Sequence, residues 1–147
     1  MSWYVATAFC IWDGGYLPTE AECAASGGEE QRAYPWSSPA TDTTLDCVLA
    51  DFMGCGPGTS AVGTHSSGNG RWGTADLAGN VWEWVLDASG TYTNPCDDCA
   101  ALAGTTRVVR GGSFVSADQN LRAADRFQYA ANSHNDNVGW RCAYASP

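Results

Sequence analysis

The chain has no lysine, and this absence limits the partners it can bind. Its seven basic residues are all arginine, and they are opposed by sixteen acidic residues, which gives a formal net charge of −9. Binding to nucleic acid needs a basic surface that neutralises phosphates, so we exclude nucleic acid as a partner. An acidic surface suits cations better as ligands.

Long apolar runs are also missing. No segment approaches the ~20 consecutive apolar residues of a membrane-spanning helix, so the sequence predicts no membrane span. Residues 1–4 lack the basic region and cleavage site of a signal peptide. We therefore expect either that an export signal has been removed or that the chain is a piece of a longer protein.

Cysteine, glycine and aromatic residues are abundant instead. Seven cysteines are many for a cytosolic protein of 147 residues and favour an extracytoplasmic or secreted location. Seven Trp, six Tyr and four Phe can fill a core, while seventeen Gly and six Pro are typical of a loop-rich fold. The length suits one domain, which we place at residues 1–147 and in the α+β class.

Local patterns predict two helices and three strands. Ser2 can cap a first helix, which has an apolar set at helical spacing and ends at residues 13–15; the set is Val5, Ala8, Phe9 and Trp12. Thr19 and Glu22 form a capping box at the start of a second helix, which ends at residues 26–28. Strands are predicted over residues 81–86, 107–110 and 138–144. Residues 34–75 read as an ordered loop held by Trp36, Phe52, Trp72 and two cysteines.

Six short motifs follow one another in an order that resembles the sulfatase-modifying-factor family, which includes the formylglycine-generating enzymes. They are Leu17–Glu22, Tyr34–Trp36, Asp76–Trp84, Arg107–Phe114, Arg122–Arg126 and Val138–Cys142. The resemblance implies a C-type-lectin-like fold with short strands and two short helices. It also implies that the chain corresponds to the C-terminal two-thirds of the usual family domain.

The sequence departs from the family where its oxidase chemistry resides. In the formylglycine-generating enzymes two cysteines follow the Gly-Gly-Ser segment and bind copper(I), a soft metal that thiolates suit. Here Ser116 stands at the position of the first cysteine, and the second falls in the shortened stretch 118–121. No cysteine lies between Cys99 and Cys142. Copper is therefore not expected, and no catalytic residue is assigned.

The resemblance also implies a disulfide between Cys10 and Cys142. Cys47 with Cys55, and Cys96 with Cys99, are close enough in sequence to form local disulfides, which leaves Cys23 over. A zinc site built from these four local cysteines stays open as an alternative.

A calcium site is the metal site that the resemblance implies. Asp76 and Glu83 would supply carboxylate oxygens, and Gly79 and Val81 would supply backbone carbonyls, which are the hard ligands that Ca²⁺ takes. In the alternative interpretation, Glu83 pairs with an arginine and Asp76 caps a turn.

The resemblance implies that residues 113–137 form the ligand-facing surface of this fold. The candidate ligand-binding residues are Ser113, Ser116, Asp118, Asn120, Arg122, Arg126, Tyr129, Asn132 and His134. Such polar and aromatic side chains suit adaptable recognition of a protein or glycan. The alternative is that the arginines form structural ion pairs.

These residues favour a non-catalytic, calcium-stabilised binding module. One alternative is a formylglycine-generating oxidase that acts on a sulfatase cysteine. Another is a variable ligand-binding protein of a diversity-generating retroelement, and a third is an accessory domain of a secreted multidomain protein. The ligand and the oligomeric state do not follow from the sequence.

Overall fold

The chain is represented by a computed structural model, which describes residues 1–92 and 100–145 and, for residues 23–26 and 28, the backbone only. Its regular elements are short. They are α1 (Trp3–Trp12), α2 (Glu20–Ala24), β1 (Trp82–Ala88), β2 (Thr106–Arg110), β3 (Phe127–Ala130) and β4 (Val138–Trp140), with 3-10 helices at Ala25–Glu30, Ser66–Gly68 and Asp118–Leu121. The predicted loop-rich α+β class with two short helices is confirmed.

The four strands form one mixed sheet in the order β3-β2-β1-β4. β1 pairs antiparallel with β2 and parallel with β4, while β2 pairs antiparallel with β3. The strands predicted at 81–86 and 107–110 are confirmed as β1 and β2. The last strand is shorter than predicted, since beyond Trp140 only an isolated bridge joins Ala143 to Tyr16. β3 was not predicted, because its four residues are too few for a clear period and are mostly exposed.

Helix α1 begins as predicted but turns a different face to the core. Ser2 is its N-cap, and the Ser2 hydroxyl accepts a hydrogen bond from Val5 N. Ala6 and Cys10 are fully buried, and the Trp3 indole donates to Val85 O of β1 at 2.8 Å. The apolar set used to predict the helix, Val5, Ala8, Phe9 and Trp12, is exposed instead. Spacing predicted the helix correctly, but tertiary contacts select its buried face.

The capping box at the second helix is confirmed. Thr19 N donates to the Glu22 carboxylate at 2.7 Å, and Glu22 N donates to Thr19 Oγ1 at 3.2 Å. Both amides of this helix start are thereby satisfied, as a capping box requires.

Among the described residues, two apolar clusters make up the core. The larger one joins α1 to the sheet and consists of Ala6, Cys10, Leu17, Trp82, Trp84, Val109 and Val138. The smaller one lies under the long loop and consists of Tyr34, Ala50, Ala78 and Leu121, with Trp36 and Phe52 packed against it. Trp36 and Phe52 therefore hold the loop as predicted. Trp72 does not, because it is 64% exposed and contacts the Arg71 guanidinium at the surface.

Two of the predicted disulfides are confirmed. Cys10 is bonded to Cys142, and Cys47 is bonded to Cys55, each with a Cα–Cα distance of 5.3 Å. The second bond removes two of the four thiolates that the alternative zinc site would need. The predicted Cys96–Cys99 bond lies outside the described residues, as does the side chain of Cys23.

Within the described residues, no helix is long and apolar enough to cross a membrane.

The two disulfides should contribute unequally to stability. Cys10–Cys142 spans 132 residues and Cys47–Cys55 spans 8. In the chain-entropy model these closures stabilise the folded state by roughly 5 and 2.5 kcal/mol. We expect that the paired Cys10→Ala and Cys142→Ala variant loses about twice the free energy of unfolding that the Cys47→Ala and Cys55→Ala variant loses. Urea denaturation followed by tryptophan fluorescence measures both losses, and equal losses would contradict this expectation.

Candidate functional site

The loop that leads into β1 has an unusual backbone. Asp76, Gly79 and Asn80 all have positive φ, at 53°, 81° and 63°. Gly79 also touches the neighbouring backbone, since a Cβ there would lie 2.3 Å from Asp51 O. Asn80 N donates to that same oxygen, and Gly79 N donates to Gly111 O. The loop is therefore a tight turn held from two sides, and Gly79 fits it because it has no side chain.

This turn borders an open cavity of about 250 Å³. Its walls include all four residues predicted to hold calcium, together with other side chains: Val62, Ala75, Asp76, Gly79, Asn80, Val81, Glu83, Trp140 and Arg141. The structure thus brings the predicted ligand set to one place. The pleat of β1 explains this in part, because Trp82 and Trp84 enter the core from one face while Glu83 points to the other.

Glu83 is paired with an arginine across the cavity wall. Arg141 Nε and Nη2 donate to the two Glu83 carboxylate oxygens at 2.5 and 2.6 Å. The same guanidinium donates to Ala75 O and Asp76 O and so ties β1 to the turn. Burial raises the pKa of Glu83 above its ordinary value; Arg141 opposes this rise, and the Asp76 charge adds to it.

Asp76 holds the neighbouring chain. Its Oδ2 accepts a hydrogen bond from Gly63 N at 2.7 Å. Both contacts of the alternative interpretation are therefore present, a Glu83–arginine pair and an aspartate that holds a turn. Each carboxylate still has free lone pairs, since an ionised carboxylate offers about four acceptor sites. Two carboxylates against one guanidinium leave one negative charge beside the cavity, and oxygen donors are the type that a hard cation takes.

No cluster of three or more His, Cys, Asp or Glu residues that could hold a metal occurs in the described part of the chain. A calcium ion at the turn would rely on two carboxylates and on backbone carbonyls, so the calcium expectation stays a prediction.

Ser113 and Ser116 form a buried hydroxyl pair. Their Oγ atoms lie 3.0 Å apart, and Ser113 N donates to Ser116 Oγ at 3.0 Å. Ser113 is fully buried and Ser116 nearly so. Asn137 Nδ2 approaches Ser113 Oγ at 3.5 Å, which brings the start and the end of the predicted ligand-facing segment together.

The nine candidate ligand-binding residues do not form one patch. Asp118 and Arg122 are exposed beside the 3-10 helix at Asp118–Leu121, whereas Asn132 and His134 are exposed in the connection from β3 to β4. β3 lies between these pairs, and its four residues span about 13 Å. Residues 131–137 then lead back to Val138 beside Trp82. The exposed residues thus occupy two loops, which meet at the Ser113–Asn137 contact.

Three other candidates are engaged in internal contacts. The Tyr129 ring packs edge-on against Trp84 and Phe127, which makes it part of the core. Asn120 Nδ2 donates to Asp125 Oδ2 at 3.1 Å. Arg126 is paired with Glu20.

Glu20 is a buried carboxylate that sequence reasoning did not single out. Arg126 donates to it at 2.7 Å, the Tyr92 hydroxyl at 3.0 Å, and Arg110 Nε lies 3.7 Å away. The Arg126 guanidinium also lies over the Tyr92 ring, 4.6 Å from its centroid. Most contacts of Arg126 are therefore with other residues of the fold. Glu20 and Arg126 belong to two of the six motifs. In the sequence, this membership was the signal that the two residues could be in contact.

Asn135, in the β3–β4 connection, is a further polar residue of note. Its Nδ2 is buried and has no hydrogen-bond partner among the described residues. Buried polar atoms are almost always paired, so this amide is a donor that lacks an acceptor.

A family model described as the sulfatase-modifying factor enzyme 1-like domain matches residues 1–146. The formylglycine-generating enzyme of Streptomyces coelicolor is 35% identical over 97% of this chain and 51% of its own length. The inactive C-alpha-formylglycine-generating enzyme 2 of Mus musculus is 33% identical over 97% of this chain and 47% of its own. The chain spans about half the length of these relatives.

Solved structures confirm the C-type-lectin-like fold. PvdO from Pseudomonas aeruginosa superposes with a TM-score of 0.81 at 21% identity, covering 95% of this chain and 58% of PvdO. Treponema denticola variable protein 1 superposes with a TM-score of 0.67 at 27% identity, covering 84% of this chain and 45% of that protein.

The buried Glu83 should leave a signature in the pH dependence of stability. Because its pKa is raised, the folded chain holds a proton that the unfolded chain releases above about pH 4.5. The free energy of unfolding should therefore fall as pH rises from 4.5 through the raised pKa, by up to about 1.4 kcal/mol per pKa unit. We expect Glu83→Gln to lose this fall in urea denaturation series recorded with EDTA.

Glu30→Gln is the control with the opposite sign. The Arg32 hydrogen bond lowers the pKa of exposed Glu30, so Glu30 stabilises the fold above its unfolded pKa and loses that contribution as pH falls. A Glu83→Gln variant that keeps the wild-type pH profile would contradict the assignment.

Proposed function

The chain belongs to the sulfatase-modifying factor enzyme 1-like family, and from that premise we propose that it is a non-catalytic binding module. It binds a protein or glycan ligand through the polar C-terminal surface where loop 113–122 meets the connection 131–137. A calcium ion at the Asp76–Glu83 turn stabilises this surface. The two described disulfides support an extracytoplasmic or secreted location.

The observation that carries this proposal is the buried hydroxyl pair of Ser113 and Ser116. By the family resemblance, Ser116 stands where the oxidases have their first copper-binding cysteine. Its oxygen is a hard donor and is already hydrogen-bonded to Ser113. A hydroxyl pair cannot replace two thiolates as a copper(I) site. That a relative carries the name of an inactive enzyme is consistent with this loss.

The exposed polar residues of the two loops suit binding for separate reasons. Asp118, Arg122, Asn132 and His134 are exposed. Side-chain amides, charges and an imidazole together offer both donors and acceptors, as peptide carbonyls and sugar hydroxyls require.

A second candidate is a variable ligand-binding protein. The similarity to Treponema denticola variable protein 1 supports it. This candidate shares the binding surface with the first and differs in predicting that residues 127–137 vary between gene copies while the Ser113–Ser116 pair does not. Sequencing the gene from several isolates distinguishes the two.

Copper and oxygen measurements test the loss of oxidase chemistry. We expect no stoichiometric Cu(I) binding in a competition titration with a chromogenic chelator. We also expect no oxygen uptake when the chain is given copper and a cysteine-containing sulfatase peptide. The Streptomyces coelicolor enzyme is the positive control. Stoichiometric Cu(I) binding together with cysteine oxidation would overturn the proposal in favour of the oxidase.

Ligand binding is tested with a glycan array and a displayed peptide library as probes. Hits should bind the wild-type chain and lose at least about tenfold in affinity with Asn132→Ala and His134→Ala combined, since both side chains are exposed. Glu29→Ala with Thr59→Ala, two exposed residues outside segment 113–137, is the matched control. Hits that bind the combined Asn132→Ala and His134→Ala variant as tightly as the wild type would show that other residues recognise the ligand.

Calcium should stabilise the fold through the Asp76–Glu83 turn. At a hundredfold excess over its Kd, a ligand that binds only the folded state adds about 2.7 kcal/mol. We expect millimolar calcium to raise the thermal midpoint relative to EDTA, and magnesium to have a smaller effect because it demands stricter geometry. Asp76→Asn should abolish the increase, and Asp118→Asn, which removes an exposed carboxylate elsewhere, should keep it. An equal increase in Asp76→Asn would refute the site.

A further inference from the structure

Helix α1 is apolar around its whole circumference. None of its ten residues is charged. The hydroxyl of Thr7 is turned inward to the helix backbone, where it donates to Trp3 O at 2.9 Å. A helix that is hydrophobic on all sides is normally covered on all sides. Among the residues that the structure describes, only one side of α1 is covered.

The uncovered side is a continuous face. We define the outer face of α1 as Tyr4, Val5, Ala8, Phe9, Ile11 and Trp12. At 100° per residue these six occupy about 160° of the helix, opposite the buried Ala6 and Cys10. Ile11 is 66% exposed, Trp12 79% and Tyr4 59%. The Phe9 ring lies 5.6 Å from the rings of both Trp12 and Trp140, so the aromatic surface continues onto β4.

The exposed area is large enough to matter. With 150–250 Å² for each aromatic side chain and somewhat less for the aliphatic ones, the outer face exposes on the order of 600 Å². That value reaches the upper end of the largest apolar patches on monomers. Two such faces in contact would bury at most about 1,200 Å², which is the lower end of the range for specific interfaces.

The charge distribution favours a second copy as the occupant. Each chain carries a net charge of −9 without any lysine, so anionic lipid headgroups would repel it. The outer face itself is uncharged. The adjacent Asp13 accepts a hydrogen bond from the Tyr144 hydroxyl. Two copies can therefore meet here without bringing their acidic side chains into the interface.

We propose that the outer face of α1 is a homodimer interface, in which α1 of one copy packs against α1 of a second copy. A two-fold axis makes this contact self-complementary, because it sets the Tyr4 end of each helix against the Trp12 end of the other. The interface is apolar, so association holds or strengthens as salt screens the repulsion between the two acidic chains.

Sedimentation equilibrium over a dilution series of the 147-residue chain tests this proposal. We expect a concentration-dependent mass that approaches twice the 15.5 kDa of one chain. Ile11→Glu should weaken the dimer at least about tenfold, because it puts a charge into an apolar contact. The same variant should keep its circular dichroism spectrum and its Cys10–Cys142 bond, since Ile11 is exposed in the single chain.

Val48→Glu is the matched control. Val48 is 65% exposed, close to the value for Ile11, and lies in the long loop away from α1 in sequence. This variant should dimerise like the wild type. A wild-type chain that stays monomeric throughout the series overturns the proposal and leaves the face to another polypeptide. Equal dimerisation of Ile11→Glu and the wild type also overturns it, because the contact would then lie elsewhere.

Discussion

The pairing of β1 on both of its edges is the constraint on which the rest of the structure depends. β1 is bonded to β2 on one side and to β4 on the other, so its register cannot slip without breaking both ladders. That register sends Trp82 and Trp84 into the core and Glu83 towards the cavity. It also presents Val85 O to the Trp3 indole, which docks α1. The register of β1 therefore determines the packing of the core, the position of the candidate metal site and the docking of α1.

Around this strand, arginines connect segments that are distant in sequence. Arg141 joins Glu83 to the backbone of residues 75 and 76. Arg126 and Arg110 meet Glu20, and Arg107 donates to Leu86 O and Leu102 O. The fork of a guanidinium suits this task, because several donors in one plane can reach separate acceptors. These four arginines thus hold together segments of the fold.

Local signals in the sequence predicted much of this frame. The Ser2 cap, the Thr19–Glu22 box, β1, β2 and two disulfides are fixed by neighbouring residues or by ordered motifs. β3 and the buried face of α1 were not predictable in this way. Phe127–Ala130 becomes a strand only because β2 offers it an edge, and α1 turns Ala6 inward only because Trp3 and Cys10 have partners elsewhere in the chain. Tertiary contacts determine both features and override the local spacing of apolar residues.

The candidate site, like the fold, was predicted from the sequence only in part. The motif Asp76–Trp84 predicted that the four candidate calcium ligands lie together, since they are close in sequence and lie on or next to one turn. The ligand-facing segment was predicted as one surface, but β3 divides it, and Tyr129 and Arg126 are engaged in internal contacts. A polar composition does not reveal which side chains already have partners inside the fold.

The bond between Cys10 and Cys142 affects how this chain tolerates backbone cleavage and changes in its loops. It joins points near the two ends, so nearly the whole sequence forms a covalent ring. A single backbone break within the long loop or the polar loops would open that ring without releasing either piece. The surface loops can thus be cut, lengthened or varied while their anchors remain attached. The closure therefore keeps the two ends of the fold joined whatever changes the loops between them undergo.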